Sequence, residues 1–354
     1  MPDTAAQSPD LSLAGLAAHA GAPRSHDGLT VFPLLAEPAT PMVVDLLVDA
    51  IAAGTLTISE VGTGTVPSLL ARNAGAADVL ILDGEQLIGA RQNRITNRSI
   101  LLASGTTSEI PVSCMEQGRW HFTSETFSPA EGARQAPSGV RRHARDMEVE
   151  VAVARGRGTH DAAAMAQGVV WGTIGALSEG LGGRSPTGAM DEVYERNRPR
   201  LESWLAHYPL EAGQIGIAAF LDARPLALDA VGCPGLWARV HARFLGGYVV
   251  DALAHRATGR RSEGDSTSPG RGSVESFLVD VNTAHRIESD TVGCGRYQVL
   301  SGSAVGAELV DDRADAPRLA HLSAFPALRD AVRPDPAGLS RRLPLDAPSR
   351  RRRS

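Results

Sequence analysis

Lysine is absent from the 354 residues, so all 35 basic side chains are arginines. A Walker-type phosphate loop needs a lysine on the transferred phosphate, a pyridoxal enzyme needs one for its Schiff base, and a protein kinase needs one on its third strand. Those three chemistries are closed to this chain. Cysteine is scarce too. Cys114, Cys233 and Cys294 form no C-x-x-C pair and are too few for a disulfide framework, which points to a reducing compartment and so to the cytoplasm. No apolar run approaches the roughly 18 residues that span a bilayer, and Leu11 to Ala18 lacks the basic flank of an export signal. Neither membrane nor export is expected. With a net charge of −5, a generally basic nucleic-acid surface is not expected either.

Other motifs are missing. Gly62-Thr63-Gly64 and Gly293-Cys294-Gly295 lack the third glycine of a dinucleotide fingerprint, which disfavours a Rossmann domain, and no G-x-S-x-G elbow is present. The ten histidines show no H-E-x-x-H pattern and no pairing with cysteine at ligand spacing, so the pattern assigns no metal site. No cofactor is named by the sequence.

What is present is a chain with 43% hydrophobic residues, long enough for one large domain or two ordinary ones. Residues 1–27, rich in Ala, Pro and Ser, read as a loose leader, and the fold is expected over 28–326. Leu29 to Leu34 reads as a strand and Met42 to Ala53 as a helix closed by Gly54. Val79 to Leu82 runs into Asp83-Gly84, a strong hairpin signal, with Gln86 to Ile88 returning. Ile95 to Leu102 and Glu109 to Cys114 follow as strands around Ser104-Gly105-Thr106. From Ser124 to Gly158 the chain turns polar and arginine-rich, which suits an exposed excursion or a basic, partly helical arm. Helical spacing resumes from Asp161 to Leu181, and again from Pro186 to Leu205 with a break at Pro199. Ile215 to Leu221 and Pro225 to Val231 read as a hairpin turning at Asp222-Ala223. Pro234 opens a helix with Trp237, Val240, Phe244 and Tyr248 as its buried stripe. Residues 258–273 have the composition of a disordered insertion and 327–354 that of a disordered Pro/Arg tail. Between them a short helix around Phe277 to Val281 precedes closing strands over Thr291–Leu300, Ala304–Val310 and Leu319–Phe325. The fold class is therefore α+β, with an antiparallel β-rich N-terminal half and a mixed C-terminal half, packed as one unit or as subdomains 28–158 and 159–326.

The densest run of unusual polar residues is DGEQLIGARQNRITNRSILL, Asp83 to Leu102. Asp83 and Glu85, two residues apart, suit an acid and base on one strand face or a divalent cation, and Arg91 and Arg94 suit bidentate grip on phosphate. Against this, Asp83-Gly84 is explained by a turn, and Glu85 with Arg91 by a cross-strand ion pair. In SCMEQGRW, Ser113 to Trp120, Cys114 is a candidate nucleophile with Glu116 or Arg119 to orient it. A buried structural cysteine is the leading reading there, since free cysteine is among the most buried residue types.

The run from Leu80 to Trp120 resembles the hallmark block of the ARG-and-rhodanese-phosphatase-superfamily-associated domain family, and two weaker blocks, Gly213 to Gly232 and Gly306 to Pro326, agree with it. Members of that family tend to be encoded near ADP-ribosylglycohydrolase and rhodanese or phosphatase superfamily proteins. By association the resemblance implies a place in NAD or ADP-ribose metabolism, with no established catalytic assignment to carry over. Arg91 stands where the commoner pattern has lysine. The leading functional expectation is a protein that binds or processes an ADP-ribose-like or nucleotide ligand, its small-molecule partner. Asp83, Glu85 and Glu116 would be catalytic, and Arg91, Gln92, Asn93, Arg94 and Arg119 would hold the ligand. The alternative is a non-enzymatic scaffold or assembly protein in which the same cluster is a buried polar network.

Overall fold

The computed structural model describes residues 10–13, 16–37, 41–62, 68–116, 123–132, 134–145, 161–183, 189–257 and 268–327, with backbone alone for 161–166. Three strands, β1 (Leu11–Leu13), β2 (Leu16–Ala20) and β3 (Arg24–His26), precede β4 (Leu29–Ala36). This corrects the loose leader for residues 10–26. Leu11 and Leu13 alternate with polar Ser12 and are fully buried, because they close one edge of the large sheet. Residues 1–9 lie outside the described residues.

A smaller β body follows. β5 (Asp45–Leu46) runs into α1 (Leu47–Ala52), which ends at Gly54 with φ +70°. The helix expected over Met42–Ala53 is shortened because Asp45 and Leu46 pair, in parallel, with β8 (Val79–Ile81). Around them lie β6 (Leu56–Glu60), β7 (Ser68–Asn73), β9 (Gln86–Gly89), β10 (Arg94–Thr96), β11 (Ile100–Leu102), β12 (Thr107–Cys114) and β13 (Phe127–Pro129). Six of these form a sheet in the order β13-β9-β10-β12-β7-β6, and a bridge between Ser59 and Thr126 brings the last strand back to the first. The sheet thus curls into a small barrel filled by Leu56, Ile58, Leu69, Leu87, Val112 and Phe127. A three-stranded sheet, β11-β8-β5, packs on the same core.

The hairpin expected at Asp83-Gly84 does not form. Gly84 has the left-handed φ of +79° that a turn requires, but β8 pairs β11 and β5, whereas β9 pairs β10 and β13. The turn hands the chain from one sheet to another. Likewise Ile95–Leu102 is two strands, not one, broken where Asn97 to Ser99 cross between sheets.

Helical residues 138–145 form α2, followed by α3 (Asp161–Gly180), α4 (Asp191–Arg196) and α5 (Arg198–Leu205). The break falls at Asn197, and Pro199 lies in the first turn of α5, where its missing N–H costs nothing. β14 (Gln214–Leu221) and β15 (Arg224–Ala230) make the expected hairpin, with Asp222 at φ 52°. α6 (Pro234–Ala257) buries Trp237, Val240, Phe244 and Tyr248 as the spacing predicts. α7 (Arg271–Thr283) begins inside the segment expected to be a disordered insertion, of which 258–267 lie outside the described residues. β16 (His285–Ser289), β17 (Arg296–Ser301), β18 (Ala304–Asp311) and β19 (Arg318–Pro326) close the fold. The tail from 328 lies outside the described residues.

The fold is α+β. Its large sheet is antiparallel throughout, in the order β1-β2-β4-β14-β15-β19-β18-β17-β16 with β3 beside β4. It draws strands from both sides of the boundary at 158/159, so the halves are interleaved. α6 covers one face, meeting Ile217, Ala219 and Leu221, and α7 covers the other, meeting Ala218, Phe220 and Leu228. Both faces being covered, β14 is an unbroken buried run.

Candidate functional site

The block Asp83 to Glu116 supplies residues to two separate places. The first is a charge network between the barrel, α2, α6 and the large sheet. Arg141, on α2, donates from Nη2 to Asp83 Oδ1 at 2.9 Å, to Asp229 Oδ1 at 2.6 Å and to Ser323 Oγ at 2.8 Å, and from Nη1 to Asp229 Oδ2 at 2.9 Å. Arg145 Nη2 donates to Asp83 Oδ2 at 2.8 Å, and the Tyr248 hydroxyl donates to Asp229 Oδ2. Glu85 pairs with Arg243 of α6 and also accepts from the Leu82 amide at 3.0 Å. Asp83, Glu85, Arg141 and Asp229 are each 2% exposed or less. Arg141 and Arg145 lie on α2, in keeping with a partly helical arm, but they are buried, which corrects the exposed excursion. Their flat guanidinium groups lie over Phe325, and Arg141 also over Phe244. Residues 146–158 of that arm lie outside the described residues.

Burial would by itself raise the Asp229 carboxyl, but the Arg141 contact outweighs it and holds the group below the usual carboxylate range. The same pairing keeps Arg141 charged against its burial. Glu85 goes the other way: burial pushes its carboxyl up despite Arg243. Asp83 and Glu85 are thus held by different arginines, Asp83 by Arg141 and Arg145 and Glu85 by Arg243. Asp83, Asp229 and His321 would be close enough to share a metal ion, yet Arg141 Nη2 already occupies the position between the two carboxylates. Ser99 Oγ is 2.7 Å from His321 Nδ1 and Asp229 Oδ1 is 3.3 Å from His321 Nε2, the order of a hydrolytic relay, but His321 Nε2 makes no hydrogen bond among the described residues. Ser99, however, is 5% exposed and already accepts from the Asp83 amide.

The second place is the end of the barrel. Arg94 on β10 is directly opposite Cys114 on β12 and Leu87 on β9, so all three side chains share the inner face. Arg94 Nη1 donates to Cys114 Sγ at 2.9 Å and to Gln92 Oε1 at 3.1 Å. Gln92 Nε2 in turn donates to the Glu116 carbonyl at 2.8 Å. From α3, the Gln167 amide clasps the Cys114 backbone, accepting from its N–H at 3.1 Å and donating to its C=O at 2.9 Å. Asn93 donates its amide to Glu116 Oε2 at 3.4 Å and its Nδ2 to Asp191 Oδ1 at 3.5 Å. Burial pushes the Asp191 carboxyl up, with Glu116 and Glu192 adding to the effect. The Cys114 thiol is raised by burial, lowered by Arg94 and raised again by Glu60.

Arg94 is 2% exposed, and its Nε has no hydrogen-bond partner. Among the described residues it makes no ion pair. Arg91 stands apart on the surface, its Nε 3.4 Å from Glu60 Oε2, and not beside Glu85 as a cross-strand pair. Arg119 lies outside the described residues.

Sequence reasoning missed Arg141, Asp229, Arg243, Tyr248, His321 and Gln167. A signal existed for two of them: Asp229 interrupts the apolar stretch of β15 after Leu228, and His321 interrupts that of β19, with Ser323 following on the same face.

The profile of the ARG and Rhodanese-Phosphatase-superfamily-associated Protein domain matches residues 17–325, which include both sites and nearly all the described chain. The chain belongs to that family. Neither a comparison with curated proteins nor one with solved structures finds a match. The match begins within β2, so β2, β3 and β4 fall inside the domain, and β1 precedes the matched residues. Among the described residues no helix is long and apolar enough to cross a membrane.

Proposed function

We propose that this family member binds an anionic small molecule of the ADP-ribose or nucleotide class at the barrel end, with Arg94 on a phosphate and Gln92 beside it. One observation carries the reading: among the described residues, Arg94 is a buried cation held by neutral groups alone. Taking a guanidinium out of water without an anion is unfavourable by several kcal/mol, and a phosphate would supply the missing charge bidentately. The end of a small barrel is also where side chains from several strands converge on one concave place. Glu116 and Asn93 stand beside Arg94's partners as the remaining polar groups of the site. Asp83 and Glu85 are left out of this reading, because they face arginines of the other network and not Arg94. The family's association with ADP-ribosylglycohydrolases favours ADP-ribose among the anions. A reducing, cytoplasmic setting belongs to the same proposal and agrees with three free cysteines.

A second reading, a non-enzymatic scaffold or assembly protein, is favoured by the complete pairing of Asp83, Glu85, Arg141 and Asp229. Thermal shift separates the two. Purified protein is melted with ADP-ribose, NAD, nucleotides and inorganic phosphate, beside Arg94→Gln and Glu85→Ala. A ligand at a hundred times its Kd should stabilise the parent by about 2.7 kcal/mol. The expected pattern is a response in the parent and, from a lower starting Tm, in Glu85→Ala, but none in Arg94→Gln. No response from the parent to any of these anions would sink the ligand reading and leave the scaffold.

A further inference from the structure

Nη1 of Arg94 points at a sulfur, 2.9 Å away, and no carboxylate pairs with the guanidinium among the described residues. The Cys114 sulfur is thus the nearest group able to become the anion that Arg94 lacks. A thiolate and an incoming phosphate would need the same face of the same guanidinium, beside a Cys114 backbone that Gln167 holds at both its N–H and its C=O.

We infer that the Cys114 sulfur and an anionic ligand compete for Arg94, so that Cys114, 2% exposed and therefore slow to react even when the site is empty, reacts more slowly still when it is filled. The inference rests on the ligand reading above. Its physical basis is that only the thiolate is nucleophilic. Burial, opposed by Arg94, already disfavours that form. An anion seated on Arg94 cancels the opposition and covers the sulfur as well. With a haloacetamide the chemistry is simple: the thiolate electron pair forms an S–C bond to the methylene carbon, the C–I bond breaks, iodide leaves, and the thiol proton passes to solvent. Cys294, half-buried and hydrogen-bonded to the Leu101 carbonyl, is the internal reference in the same molecule.

The test is the rate of iodoacetamide labelling at each cysteine of the full chain, read by mass spectrometry with and without inorganic phosphate or ADP-ribose. Ligand should slow Cys114 by about tenfold or more, the effect of one pKa unit or greater, while leaving Cys294 unchanged. Two variants extend it. Arg94→Gln should lower the Cys114 rate relative to Cys294 at every alkaline pH tried, since the thiolate loses its cation. A merely loosened fold would raise it instead. Cys114→Ala, a small excision, should bind phosphate several-fold more tightly because the competitor is gone. If ligand stabilises the parent in a melt yet Cys114 labels at the same rate, or Cys114→Ala binds no more tightly, the competition is wrong and the ligand site survives. If no anion binds the parent or Cys114→Ala, the ligand reading falls and takes the competition with it.

Discussion

At the scale of single residues, Asp251 of α6 accepts from the Ser138 amide at 2.8 Å, at the start of α2. Burial raises its carboxyl to about 6, against the opposing pull of the Ser138 hydrogen bonds and Arg141. An acid whose folded-state pKa lies above its unfolded value favours the fold while protonated. That contribution is complete below about pH 4 and is lost as pH rises through about 6. Asp251→Asn keeps a hydrogen-bond acceptor and cannot ionise. Relative to the parent it should gain stability between pH 4 and pH 7, by at most about 3 kcal/mol. Denaturant melts of both proteins at the two pH values measure the difference. A constant offset would show that Asp251 does not titrate in this window.

At the scale of elements, the Asp83-Gly84 turn decides where β9 goes. Gly84 has φ +79°, and a Cβ there would lie 2.6 Å from Arg141 Cγ and 2.7 Å from Cδ. Arg141 cannot step aside, because its far end is fixed on two carboxylates. Gly84→Ala should therefore cost about 1–3 kcal/mol for the backbone alone and more for the displaced arginine. Gly105→Ala, with φ +68° but open space around it, is the control for backbone strain. In an Arg141→Met background the cost of Gly84→Ala should fall to that of the control. Additive effects in that cycle would mean that the contact with Arg141 is not what constrains the turn.

For the whole molecule, the Arg141 network is the junction of barrel and large sheet: Asp83 comes from the end of β8, Asp229 from β15 and Ser323 from β19. A buried ion pair is weak evidence of net stabilisation, but deleting one partner strands the other charges. Arg141→Met leaves Asp83 and Asp229 facing each other and should cost about 3–5 kcal/mol. It should also split a single unfolding transition into two, as barrel and sheet lose their link. Calorimetry that shows one unshifted transition would remove the network from this role.

Much of this was legible in the sequence. Patterns of period 2 and 3.6 marked the β14–β15 hairpin, α6 and the closing strands, because local spacing and tertiary burial agree there. The polar block around Asp83 to Glu116 was visible as unusual, and the family resemblance followed from it. What the spacing could not contain was partner choice. The turn at Gly84 has hairpin chemistry, yet β8 and β9 go to different sheets because their apolar faces complete different surfaces. Arg141 and Arg145 sit in a polar segment that reads as solvated, and only two carboxylates from distant strands make their burial tolerable. The sequence by itself determined the fold class and marked the polar block from Asp83 to Glu116 as unusual. Only the tertiary structure decided that Asp83 and Glu85 are paired and that Arg94, among the described residues, is not, since whether a buried charge has a partner depends on groups brought together across the fold.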